Sequence, residues 1–117
     1  MAIDRARTTG ELVVTAQIIR EYIAATTHPR FAPRPLDLAV ALADVAIFLN
    51  KMRLLDESSE SLRIFRQLID RHRIVGRAVH DANIAATMLA NGVTRILTDN
   101  VTDFRRYAPE IEIVGLA

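Results

Sequence analysis

The stretch AVHDANIAATMLANGVTRILTDNVTDF, residues 78–104, decides how the chain is read. Its first half sets Ile84, Met88 and Leu89 on one helical face, with small alanines for close approach and Asn91-Gly92 as a C-terminal stop. An apolar strand follows at residues 95–98. Asp99, Asn100 and Asp103 come directly after it. A helix leading into a strand, with carboxylates gathered where that strand surfaces, predicts a ligand site at the carboxyl edge of an α/β sheet.

Working outward, ELVVTA at residues 11–16 predicts a short buried strand feeding a helix, QIIREYIAATTH, in which Ile18, Ile19, Tyr22 and Ile23 repeat at helical spacing. Three of the four prolines fall in HPRFAPRP, so residues 28–35 form a loop. Helical spacing returns in LDLAVALADVAIFLNKM. RLLDESSE then offers a short strand or turn whose Ser58 or Ser59 caps the next helix. In that helix Leu62, Phe65, Leu68 and Ile69 form the expected buried stripe, and Gly76 the expected stop. IEIVGL near the C-terminus predicts a last strand. Strands alternating with helices imply a mostly parallel sheet with covered faces.

The 117 residues fit one compact domain, able to bury roughly two-thirds of its extended surface. No apolar run approaches the roughly 20 residues that cross a bilayer, and MAIDRARTTG lacks the apolar segment of a signal peptide. The expectation is a soluble, cytoplasmic protein. Cysteine is absent, which excludes disulfides, thiolate metal sites and a cysteine nucleophile. A formal net charge of +1 names no partner.

Three sequence-distant segments offer acids to one end of the sheet: Glu21 after the first strand, Asp81 at the opening of the helix before RILT, and Asp99 and Asp103 after RILT. Clustered carboxylates raise each other's pKa unless a cation neutralises them. Hard oxygen donors without thiolates suit Mg²⁺ or Mn²⁺, which can activate water and stabilise charge on a phosphodiester. Each acid also has a structural alternative. A carboxylate in a helix's first turn is stabilised by the macrodipole, which covers Glu21 and Asp81, and Asp99 and Asp103 suit a turn or a cap. His80 is read as structural or hydrogen-bonding. The arginines 63, 66, 71, 73 and 77 with His72 form either an RNA-facing patch, whose affinity would fall steeply with salt, or the solvated face of an amphipathic helix.

ELVVTAQIIREY, VGRAVHDANIAATMLANGV and RILTDNVTDFRRY together resemble the PIN-domain family, especially the VapC-type toxins, from about Gly10 to the C-terminus. The strongest likeness is HDA with its helix, followed by the T-x-N-x-x-DF pattern of Thr98 to Phe104. The resemblance implies an α/β, three-layer domain with a mostly parallel sheet flanked by helices, occupying residues 1–117. It implies Mg²⁺- or Mn²⁺-dependent RNA hydrolysis, with Glu21, Asp81 and Asp103 as metal ligands and Asn100 and Thr98 orienting the acids or the substrate. Asp99 falls at a position that varies in similar sequences. An antitoxin protein and a second copy of the chain are the implied partners.

The resemblance also marks a gap. The family's first strand, with its Asp-Thr-Asn-like motif and crossover helices, has no counterpart in the nine residues before Gly10, and Asp4 does not replace its acid. The chain therefore reads as N-terminally truncated. Two half-sheets are expected either to close on each other or to be covered by another chain, because exposed ladder edges are costly. The alternative function is a catalytically inactive remnant that serves as an interaction or dimerisation module.

Overall fold

The computed structural model describes residues 4–6, 11–30, 32–98 and 100–115. Strand β1 (Asp4–Ala6) precedes β2 (Glu11–Thr15), which leads without a break into α1 (Ala16–Thr27). Then come α2 (Leu38–Lys51), β3 (Arg53–Leu55), α3 (Ser59–His72), α4 (Ala78–Ala90), β4 (Arg95–Thr98), the single turn α5 (Val101–Phe104) with a 3₁₀ turn at Arg105–Tyr107, and β5 (Glu112–Gly115).

Parallel pairing joins β2 to β3, with Val14 opposite Leu54, and β4 to β5, with Ile96 opposite Ile113. The β2–α1 and β4–α5 junctions thus release the chain at strand ends. The core fuses both sheets: Val13, Val14, Leu55 and Ile96 pack with Leu68, Ile84, Met88, Phe104, Tyr107 and Ile111. Helix α4 is buried nearly all round, and Ala82, Ala85 and Ala86 let its neighbours approach closely.

The gap between half-sheets is filled in a way neither sequence expectation described. β1 runs antiparallel to β2, with Asp4 opposite Val13 and Ala6 opposite Glu11, and lies beside β4. No ladder joins the two sheets among the described residues. A parallel strand needs a crossover of a dozen or more residues, whereas an antiparallel one needs only a short return.

Helix α3 corrects two readings. Its buried side is Ser61, Ile64, Phe65, Leu68 and Ile69, while Leu62 is 57% exposed. The stripe is turned by one position because the partner is α4. The helix also ends before Gly76: Arg73 takes the left-handed conformation (φ 52°) and the Ile74 N–H reaches back to the Ile69 carbonyl at 3.1 Å. This closing turn buries Ile74 in the core, which offsets the roughly 1 to 2 kcal/mol cost of left-handed backbone at a residue with a side chain. At the other end Ser58 and Ser61 form a reciprocal capping box. No described helix is long and apolar enough to cross a membrane.

Candidate active site

An open cleft of about 770 Å³ lies where α1, the start of α4 and the α5 turn converge. Each wall has a local cause. The Thr15 hydroxyl accepts from the Ile18 N–H at 3.2 Å, so α1 starts at the end of β2 with Ile18 turned inward. Gln17, Arg20, Glu21, Ala24 and Ala25, at i, i+3, i+4, i+7 and i+8, then share the face toward the cleft. The two alanines leave it open.

From α4 come Arg77, Ala78, His80 and Asp81. From the turn after β4 come Asn100, Asp103 and Arg106 at three-residue spacing. The Thr98 hydroxyl accepts from the Asn100 N–H at 3.0 Å, folding the chain sharply at the strand's end. Buried Phe104 and Tyr107 hold that turn to the core.

Of the five residues singled out from sequence, Glu21, Asp81, Asp103 and Asn100 line this one cleft. Thr98 does not. It is fully buried, and its hydroxyl shapes the turn beneath the others. Asp99 lies outside the described residues. Glu21 stands in the second turn of α1, roughly 7 Å along the axis from its start, so the macrodipole does not account for it. Asp81 does lie in the first turn of α4.

The acids act on one another. Burial, and then the charge of Asp81, pushes the Glu21 carboxyl above its ordinary value, while His80 and Arg20 pull it down. Burial, and then Asp103, pushes Asp81 up against the opposing pull of His80 and Arg106. Asp81 is therefore the shared member of two interacting carboxylate pairs. Among the described residues no three acid or imidazole side chains come close enough together to hold a metal ion as a cage. Mg²⁺ usually keeps several waters and takes only one or two carboxylates plus substrate phosphates. The donors fit that hydrated mode, with Asp81 as one ligand and Glu21 or Asp103 as the other.

Sequence reasoning passed over several residues that build the cleft. Arg20 donates to Gln17 Oε1 and to Glu57 Oε2, each at 3.0 Å, and Asn83 reaches the same two acceptors at 3.4 Å. This network ties α1 to the segment before α3. The i, i+4 relation of Gln17 to Glu21 was its available signal. Arg106 follows Asn100 and Asp103 at the same spacing. The arginine run behaves mostly as a solvated face: Arg63 pairs with Glu60 at 2.6 Å, Arg73 with Asp70 at 2.8 Å and Arg71 with Glu110 at 3.5 Å. Of that run only Arg77 lines the cleft.

The PIN domain family model matches residues 1–109. A chain in the crystal structure of VapBC2 from Rickettsia felis, bound to a DNA fragment from the promoter, matches with a TM-score of 0.64 and 16% identity. The match covers 90% of this chain and 74% of that one, and at such identity it speaks to the fold. No curated protein matches the sequence significantly.

Proposed function

The chain belongs to the PIN-domain family, and from that premise we propose that it is a VapC-type ribonuclease hydrolysing RNA phosphodiesters with Mg²⁺ or Mn²⁺. PIN domains are generally divalent-metal-dependent nucleases. The observation that carries this reading is the meeting of Glu21, Asp81 and Asp103 in one cleft, with Asp81 under the influence of Asp103 and Glu21 under that of Asp81. Acids that stay raised despite the pull of His80, Arg20 and Arg106 favour a bound cation.

A divalent ion held there by Asp81 and Asp103 would supply Lewis acidity that makes water nucleophilic at neutral pH and neutralises charge on the phosphoryl oxygens, leaving the Glu21 carboxylate as a base. Glu21, half-buried and with a raised pKa, accepts the proton from the attacking water at its carboxylate, since a base nearer neutrality transfers protons more effectively. The Asn100 amide donates to a non-bridging phosphate oxygen. Thr98 maintains the turn that presents Asn100 and Asp103. In this reading the protein works in the cytoplasm and is restrained by an antitoxin protein.

The test is cleavage of labelled RNA in Mn²⁺ by the wild type and by Asp81→Asn. A loss of at least about a hundredfold in the variant is expected, as for removal of a key electrostatic group. Equal cleavage by both proteins removes the assignment.

A second reading, an interaction module, is favoured by α2. Leu38, Leu42 and Leu49, at i, i+4 and i+11 along one side of the helix, are all about half exposed. The one acid in this apolar stretch, Asp44, accepts from the Tyr22 hydroxyl at 2.5 Å. An aliphatic face without a free charge is complementary to itself, so a second copy of the chain, related by a twofold axis, is the occupant. Light scattering should report a dimer that Leu42→Glu disperses. A monomeric wild type counts against this reading.

A further inference from the structure

We propose that Arg106 is a built-in anchor for a backbone phosphate of a single-stranded nucleic acid, gripping it in the acid-lined cleft without a divalent ion. The inference rests on reading the cleft as a nucleic-acid site, but not on cleavage there.

The chain's cations are nearly all arginines, and many are engaged. Arg20 is held by Gln17 and Glu57, Arg63 by Glu60, Arg71 by Glu110, Arg73 by Asp70 and Arg95 by Glu112. Arg106 is exposed and lines the cleft alongside three carboxylates, yet it makes no hydrogen bond or ion pair among the described residues. Its charge still bears on Asp81. Its five N–H donors are therefore open, and a guanidinium offers phosphate a planar two-pronged contact that a solvated ion pair on α3 cannot.

Its mounting is rigid. Arg106 follows Asp103 by three residues along the continuous turn made by α5 and the 3₁₀ segment Arg105–Tyr107, and both line the cleft. The residues on either side of the Arg105–Arg106 pair, Phe104 and Tyr107, are 2% and 1% exposed and fix the backbone in the core. Little backbone entropy remains to be lost on binding. A phosphodiester entering the cleft meets repulsion from Glu21, Asp81 and Asp103, and Arg106, whose charge already bears on Asp81, offsets it there. Arg105, next in the chain, is exposed and does not line the cleft, which makes it an internal control.

The experiment measures anisotropy of a labelled single-stranded RNA dodecamer with the full chain in EDTA, across salt concentrations. Arg106→Gln should weaken binding about tenfold and reduce the salt slope by about 0.7, the value of one lost phosphate contact on a single strand. Arg105→Gln should change neither, and Arg106→Lys, which keeps charge without the fork, should fall between. Melting curves of each variant separate loss of binding from loss of fold. A single-stranded DNA of the same sequence should lose affinity in parallel, and a loss confined to RNA would overturn the phosphate contact. The inference also fails if the wild type does not bind in EDTA, if Arg106→Gln binds like the wild type, or if Arg105→Gln loses as much. Arg106-dependent binding without cleavage leaves it standing while removing the nuclease reading. Cleavage with no Arg106 effect on binding does the reverse.

Discussion

The charge of Asp103 reaches Asp81. After burial it is the largest influence holding the Asp81 carboxyl above its ordinary value. A helix N-terminus favours an anion by about 0.3 to 1 kcal/mol, so Asp81 is raised despite its place in the first turn of α4. The two segments meet here at an electrostatic cost that the fold retains.

That cost sets a pH dependence. Glu21 and Asp81 both have folded pKa values above their ordinary 4.5 and 3.8, so the folded chain holds protons that the unfolded chain releases. Their contribution to stability is therefore lost as pH rises from those ordinary values through the raised ones, and it stays lost at neutral pH. Asp81→Asn should raise the thermal midpoint at pH 7.5 and change it little at pH 3, where the native carboxyl is already protonated. Melts followed by circular dichroism at both pH values check this, and a lower midpoint at pH 7.5 contradicts it.

A divalent ion should relieve the same repulsion. Binding to the folded state alone stabilises by RT ln(1 + [L]/Kd), about 1.4 kcal/mol at ten times Kd. Millimolar Mn²⁺ should raise the melting temperature of the wild type. Asp81→Asn should abolish the rise, and Glu21→Gln and Asp103→Asn should each remove only part of it. Three equal losses would show that Asp81 is not the shared ligand.

Tyr107 is fully buried, and its hydroxyl has no hydrogen-bond partner among the described residues. Burial pushes its pKa up to about 12. The ring lies edge-on to His72 at 5.5 Å and tilted to Phe104 at 6.1 Å, contacts that phenylalanine would keep. An unsatisfied buried polar group costs about 1 to 3 kcal/mol, so Tyr107→Phe should stabilise the fold by about 1 kcal/mol. Urea unfolding measures it, and a destabilised variant would mean that the hydroxyl has a partner in solution.

The register of α3 is testable with two leucines. Leu68 is 2% exposed and Leu62 is 57% exposed. Leu68→Ala should cost about 2 to 5 kcal/mol, while Leu62→Lys should stay within about 0.5 kcal/mol. Comparable losses from both would restore the stripe expected from sequence.

What the sequence by itself determined was mainly local. The strand at Arg95–Thr98 has the bounds expected from its apolar run, and α4 stops at Asn91-Gly92 because Gly92 takes a φ of 72°. The Ser58 cap was legible because its hydrogen bonds close within three residues. Three acids at strand ends, together with the family resemblance, were enough to nominate Glu21, Asp81 and Asp103 before any geometry was known.

Tertiary structure alone decided the rest, because it depends on what lies across from each residue. Leu62 and Leu68 are equally apolar in sequence, and only the position of α4 says which is covered. Thr98 reads as a residue that orients the acids or the substrate until its hydroxyl is seen accepting from the Asn100 N–H two residues on. A three-residue antiparallel β1 carries too little periodicity to be read, yet it stands beside both β2 and β4. Long side chains leave the least trace of all: whether an arginine is neutralised, as Arg20 is by Glu57, or left open, as Arg106 is, depends on partners that chain order does not reveal.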